Sequence, residues 1–321
     1  MYPLILRNNI DIKKLYFKFI SLSDYTITLL ETNLNNICWS RLSANPNAIS
    51  LLEKNPDKIN WYYLSANPNA IYLLENNQNK INWYNLSANP NAIELLKNNL
   101  NKIYWSSLSN NPNAIEILRD NPDKIDWYNL SGNPNAIEIL KNNLNKIYWS
   151  SLSANPNAIE ILRDNPEKIN WDYLSYNTNP EAIKLLKSNP DKINWDYLSC
   201  NISNLAIQFL RENPSKINWK YLSYNHNPLS IKILKNNSNK INWDYLSANP
   251  NAIDLLLENQ NKIDWYSISL NPSIFTYNYE LIKNNFELLG EEIIQKSLHP
   301  KRMLRLMELY GQDEIYKCYF E

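Results

Sequence analysis

Residues 45–66 read NPNAISLLEKNPDKINWYYLSA, and this phrase recurs with small changes along nearly the whole chain. Its Trp61 belongs to a series in which Trp39, Trp61, Trp83, Trp105, Trp127, Trp149 and Trp171 stand 22 residues apart. Trp195, Trp219 and Trp243 follow at steps of 24, and Trp265 at 22. Phe17 lies 22 before Trp39 inside LYFKFIS and is a degenerate copy of the same position. Self-similarity at a fixed period of this length marks a solenoid and takes precedence over any local motif.

The quoted unit holds two Asn-Pro pairs, Asn45-Pro46 and Asn55-Pro56. Asn is favoured at a helix N-cap, Pro at the first helical position, and the residue before Pro is pushed out of the α region. Each pair is therefore expected to stop one helix and start the next, giving two helices per unit of about eight or nine residues. In the first, Ala48, Ile49, Leu51 and Leu52 form one apolar stripe; in the second, Ile59 pairs with Tyr63 and Trp61 with Leu64. Two prolines per unit would interrupt any sheet. Helices this short are unstable alone and must stack on their neighbours.

The expected fold is thus all-α: an α-solenoid, a superhelical array of about twelve two-helix repeats of 22–24 residues with atypical capping ends. Residues 1–30 read as an N-terminal cap and degenerate repeat, 31–272 as the array, and 273–321 as a C-terminal helical cap. In that cap, Met303, Leu304 and Leu306 are expected to seal the last unit. An open curved rod follows. Its structural core is expected to contain Trp39, Trp61, Trp83, Trp105, Trp127, Trp149, Trp171, Trp195, Trp219, Trp243 and Trp265. The Asn column of Asn45, Asn67, Asn89, Asn111, Asn133, Asn155 and Asn249 is read as helix caps.

Composition narrows function. Lys plus Arg and Asp plus Glu are 32 each, so the net charge is zero, which argues against a general nucleic-acid binder. Gly132, Gly290 and Gly311 are too few and too scattered for a phosphate-cradling loop. Cys38, Cys200 and Cys318 have no metal-site spacing and read as reduced thiols. His226 and His299 are the only histidines, so neither a multi-His metal site nor a His–carboxylate pair is visible. No catalytic, metal or cofactor-binding residue is assigned, and an enzyme is not expected. No signal peptide is read at the N-terminus and no stretch approaches the ~20 apolar residues of a membrane span, so a soluble intracellular protein is expected.

Residues 81–124 and 125–168 differ at five positions, as after duplication of a two-unit block, and a unique active site is hard to place in a segment that exists twice. Function in a repeat array lies where the units differ. Mid-array, Glu94, Glu116, Glu138 and Glu160 stand three residues before Lys97, Arg119, Lys141 and Arg163, a spacing that pairs them on one helix face. Further along, the acidic position becomes Lys184, Gln208 and Lys232 beside Lys187, Arg211 and Lys235, with Asp172, Asp196 and Asp244 partly compensating. The same units carry two-residue insertions in 174–180, 198–204 and 222–228. These are read as lying in the turn after the Trp helix, on one edge. The candidate partner-binding edge comprises Tyr176, Asn177, Thr178, Asn201, Ile202, Tyr224, Asn225 and His226, with Lys184, Lys187, Arg211, Lys232 and Lys235.

The segments LSANPNAIELLKNN and NPDKINWDYLS, and the ending with YELIK, EEIIQKSLHPKRM, resemble the Asn-Pro/Trp-rich helical repeat proteins of giant DNA viruses, across roughly residues 20–310. The resemblance implies a viral origin and a helical repeat; family members mostly lack an established activity. The 24-residue units and SNLAI in place of NPNAI at 203–207 depart from that pattern. The expected function is a non-enzymatic scaffold or adaptor for a viral or host protein, in the host cytoplasm or virus factory, without cofactor or membrane. Two alternatives stand beside it: a structural virion component, and a nucleic-acid-binding solenoid using the Lys184–Lys235 stripe.

Overall fold

The computed structural model describes residues 4–22 and 27–310. The chain divides into Leu6–Ile274 and a second unit formed by Met1–Ile5 with Phe275–Glu321. In the second unit strand β1 (Leu4–Leu6) pairs with β2 (Phe275–Tyr277), and two helices follow, Tyr279–Ser297 and Pro300–Tyr310. Met303 is buried there and Leu304 is exposed.

Leu6–Ile274 is the helical repeat array, an all-α solenoid. The Trp-bearing units each contain an Ile–Leu helix, a 3-10 turn and a Trp helix, as in Ile49–Glu53, Pro56–Lys58 and Trp61–Leu64. The α-helices of the 22-residue units are shorter than the sequence pattern implies, from the 4 residues of Trp61–Leu64 to the 6 of Trp83–Ala88. The reason lies at the Asn55 position of the unit, followed by Pro56 here and by Gln78 or Leu100 in units that form the same turn. It opens a single 3-10 turn, after which Ile59 (φ −63°, ψ 124°) and Asn60 (φ −91°, ψ 101°) are extended. The equivalents of Ile59 are buried (Ile81, Ile103, Ile125), so the backbone straightens to turn this side chain inward. The residue before Trp, rather than the Asn of Asn-Pro, then caps the Trp helix: the Asn82 carboxamide oxygen accepts from Asn85 N–H at 2.9 Å, and Asp126 accepts from Asn129 N–H at 2.9 Å. Asn55 instead serves the other end, its Nδ2 donating to Leu51 C=O at 2.9 Å to close the Ile–Leu helix.

The solvent-free interior consists of Leu, Ala, Ser and Asn. Leu64, Leu74, Ala70, Ser65 and Asn67 are all fully buried, and the same positions repeat around the array. The tryptophans occupy a different layer. All eleven, Trp39 to Trp265, are half-buried, and a lysine of the following unit lies over the ring of most of them. Lys80 stands 4.7 Å from the Trp61 centroid, and Lys102 and Lys146 stand at 4.7 Å over Trp83 and Trp127. The expected Trp core is corrected accordingly: the indoles are roofed by aliphatic–ammonium side chains rather than sealed inside.

The Asn column does more than cap. Asn67 Oδ1 accepts from Asn69 N–H at 3.0 Å, the expected cap, while its Nδ2 donates to Ser43 C=O (3.0 Å) and Asn45 C=O (2.9 Å) of the preceding unit. Ser43 Oγ donates to Trp39 C=O (2.8 Å) and accepts from Asn60 N–H (2.9 Å) of the next unit. A buried Asn–Ser ladder therefore stitches each unit to its neighbours and satisfies backbone groups that such short helices leave over.

The array closes on itself. Tyr16 N–H donates to Ser269 Oγ at 2.9 Å, the counterpart of Tyr104 N–H to Ser87 Oγ at 3.0 Å between consecutive units. Lys14 lies 4.9 Å from the Trp265 ring, and Tyr16 meets Tyr266 at 5.5 Å, as Tyr84 meets Tyr104 at 5.7 Å. Arg7 then donates from N–H to Ile274 C=O (2.9 Å) and from Nε to Ser273 C=O (2.8 Å). The Phe17 unit is thus the neighbour of the Trp265 unit, and twelve units form a ring. Arg7, Lys14 and Tyr16, within the segment expected to cap an open rod, take part in this closure instead. Consecutive Trp helices pack directly on one another, whereas Ile–Leu helices meet closely only among the three longer ones. The Trp helices hence lie on the tighter circumference, and grooves open between the Ile–Leu helices on the wider one.

Candidate binding groove between the longer units

The three 24-residue units keep the ladder intact. Asn177 Nδ2 donates to Ser153 C=O (2.9 Å) and Asn155 C=O (3.0 Å), Asn201 to Ser175 C=O (3.0 Å) and Asn177 C=O (2.9 Å), and Asn225 to Ser199 C=O (2.9 Å) and Asn201 C=O (3.0 Å). All three are buried. Asn177, Asn201 and Asn225 are therefore withdrawn from the partner-binding edge: they are framework, and no partner reaches them. The two extra residues fall after the ladder Asn and lengthen the Ile–Leu helix at its start. These helices run Pro180–Lys187, Asn204–Glu212 and Pro228–Lys235, of 8, 9 and 8 residues. Asn179 and Asn227 cap two of them by accepting from Glu181 N–H (2.9 Å) and Leu229 N–H (2.8 Å). In the SNLAI variant Ser203 takes that place, accepting from Ala206 N–H at 3.2 Å, so the departure from Asn-Pro leaves the stack regular.

Of the edge residues, Tyr176, Ile202, Tyr224 and His226 are exposed and Thr178 is half-exposed. His226 lies 5.0 Å from the Tyr224 ring, and partial burial pushes its pKa down. Burial, with Asp196 beside it, pushes the Cys200 thiol up. Asp172 and Asp196 accept from Asn194 and Asn218 Nδ2, each at 2.8 Å.

The cation row divides into committed and uncommitted members. Lys184 Nζ is 2.6 Å from Glu181, which also approaches Arg163 at 4.0 Å. Lys187 is 3.2 Å from Glu212 and 4.8 Å over the Phe209 ring. Arg211, Lys232 and Lys235 make no ion pair among the described residues.

Arg211 and Lys232 flank an open groove of about 400 Å³ between Asn204–Glu212 and Pro228–Lys235. Its walls are largely apolar: Ile207, Ile217, Trp219, Leu229 and Ile233. The insertions and the sign change were legible in the sequence; the longer helices and the groove were not, because the groove depends on which side chains face each other across two units. In two of the regular grooves the facing residues form an ion pair between units, while the groove at Arg119 and Glu138 stays open at about 430 Å³ with both signs of charge in its lining. Lys97 reaches Glu116 at 2.7 Å against 3.4 Å to Glu94 of its own helix, and Lys141 reaches Glu160 at 3.1 Å. The acidic and basic stripes thus clasp adjacent units more than they pair within a helix. Hydrogen bonding with Glu116 raises the Lys97 pKa, and Glu116 is lowered by the same bond.

No helix among the described residues is long and apolar enough to cross a membrane. Comparison with protein-family models, with curated proteins and with solved structures finds no match to this chain.

Proposed function

We propose that the chain is a non-enzymatic, virus-encoded scaffold that presents the outer, Ile–Leu side of its ring to a viral or host protein in the host cytoplasm or virus factory. The observation that carries this reading is the separation of framework from variation. The Asn–Ser ladder and the fully buried leucines repeat in every unit type, while the exposed positions of 172–247 depart from the rest in charge, length and aromatic content. An array that spent its differences on the interior would have no such division. Tyr176, Ile202 and Tyr224, each about half exposed (53%, 56% and 50%), add apolar surface on the side where the longer helices begin.

The nucleic-acid alternative has less support, because Lys184 and Lys187 are held by Glu181 and Glu212 and the row of cations offered to phosphate is shortened to Arg211, Lys232 and Lys235. The scaffold reading is tested by affinity capture on the full chain with cross-linking mass spectrometry. A stoichiometric protein partner whose cross-links fall at lysines of 184–240 supports it. Capture of RNA or DNA alone, lost at moderate salt, speaks for the alternative.

A further inference from the structure

We infer that the groove between Asn204–Glu212 and Pro228–Lys235 takes an acidic peptide segment of a partner protein, one apolar side chain entering the groove and carboxylates meeting Arg211 and Lys232. This rests on the scaffold reading and names the chemistry of its ligand.

Comparison of equivalent grooves carries the inference. At the groove before Pro180–Lys187, the facing cations Arg163 and Lys184 are both served by Glu181, at 4.0 and 2.6 Å. The next groove is filled: Phe209 is buried, tilts against Trp195 at 5.5 Å, is covered by Lys187 at 4.8 Å, and the rim is clasped by Lys187–Glu212 at 3.2 Å. The groove after Asn204–Glu212 lacks each of these. The position of Glu181 is Leu229, so the neutralising carboxylate is gone and an apolar wall stands in its place. The position of Phe209 is Ile233, whose smaller side chain leaves about 400 Å³ open. Across the rim Arg211 faces Lys232, where the regular units oppose Lys97 with Glu116.

Two like charges over an apolar trough are unfavourable to the free protein and are relieved by a ligand carrying the opposite sign. The volume suits one or two large side chains rather than a folded domain. An anion without an apolar group would leave the Ile207, Ile217 and Ile233 walls wet; an apolar ligand without an anion would leave the cations facing each other. An acidic, apolar-anchored peptide meets both conditions.

The test uses the full chain and a fluorescein-labelled peptide of sequence Glu-Glu-Leu-Phe-Glu-Glu, read by anisotropy, with Lys-Lys-Leu-Phe-Lys-Lys and Glu-Glu-Ser-Ser-Glu-Glu as comparisons. Binding of the first, weakened by salt, with both comparison peptides at least about tenfold weaker, is the expected result. R211E/K232E loses at least about tenfold, while R119E in a regular groove leaves binding unchanged; unaltered melting of each variant excludes misfolding. Absence of binding, preference for the lysine peptide, or full binding by R211E/K232E overturns the groove assignment. If a partner protein is then still captured by R211E/K232E as by the unaltered chain, the scaffold reading survives and the groove is not its site.

Discussion

The blocks 81–168 and 176–247 are built on one framework and finished differently. In the first, carboxylates and cations of adjacent units face each other; Lys97–Glu116 and Lys141–Glu160 clasp the outer side at 2.7 and 3.1 Å, and the groove left open at Arg119 and Glu138 carries both signs. In the second, helices gain a turn, the facing residues become Arg211 and Lys232, and the groove between them has only cations among its charged lining residues. Yet Asn133 and Asn225 make the same pair of hydrogen bonds to the unit before. The lesson is that unit-to-unit adhesion resides in the backbone-directed ladder and the buried leucines. The outer rim is therefore free to change sign without loosening the ring.

The sharpest way to break this comparison is to damage the shared interior on both sides. Leu130→Ala and Leu222→Ala remove equivalent, fully buried side chains, and each is expected to cost ~2–5 kcal/mol in denaturant unfolding. A marked inequality between the two would mean that the frameworks differ after all. Next come Asn133→Ala and Asn225→Ala, expected to cost about 1–3 kcal/mol each, since buried carbonyls of the preceding unit lose a donor. An Asn225→Ala protein with unchanged stability would return that residue to the surface.

A third substitution sharpens the contrast in grooves. Ile233→Phe copies the side chain that fills the neighbouring groove at 209 and is expected to raise stability by about 1 kcal/mol while abolishing uptake of the acidic peptide. Loss of stability with retained uptake would show that the space is not where the peptide sits. The smallest effect is expected from Y176S/I202S/Y224S, under ~0.5 kcal/mol by thermal melting, because all three side chains are exposed. If this triple variant unfolds the ring, those residues are structural.

Much of the architecture could be read before any coordinates. The tryptophan spacing sets the unit, the Asn-Pro pairs mark helix boundaries, and the apolar stripe of Ala48, Ile49, Leu51 and Leu52 identifies the inward face. What escaped the reading was relational. Asn55 and Asn45 stand in the same dipeptide, but one closes a helix behind it and the other begins one ahead, because Ile59 must turn inward three residues after the second proline. Trp invites assignment to a core by its size, and only the lysine of the next unit reveals it as a half-covered platform. Asn177 and Asn225 stand inside the segments that carry the insertions, and only their Nδ2 bonds to the preceding unit reveal them as framework. Within the site, Arg211 and Lys232 were visible as a change of sign; Leu229 for glutamate and Ile233 for phenylalanine acquire meaning only when two helices are set side by side.

Closure also constrains how such a chain can evolve. An open stack tolerates one unit more or less, since only its length changes. Here the Phe17 unit must meet the Trp265 unit through the Tyr16–Ser269 bond, so the rotation from unit to unit is tied to their number. Copying a block such as 81–124 into 125–168 would have forced every junction around the circle to flex a little, or the circle to remain unfinished until the count was right. Repeat number is in this sense quantised, and drift is confined to residues that do not set the angle.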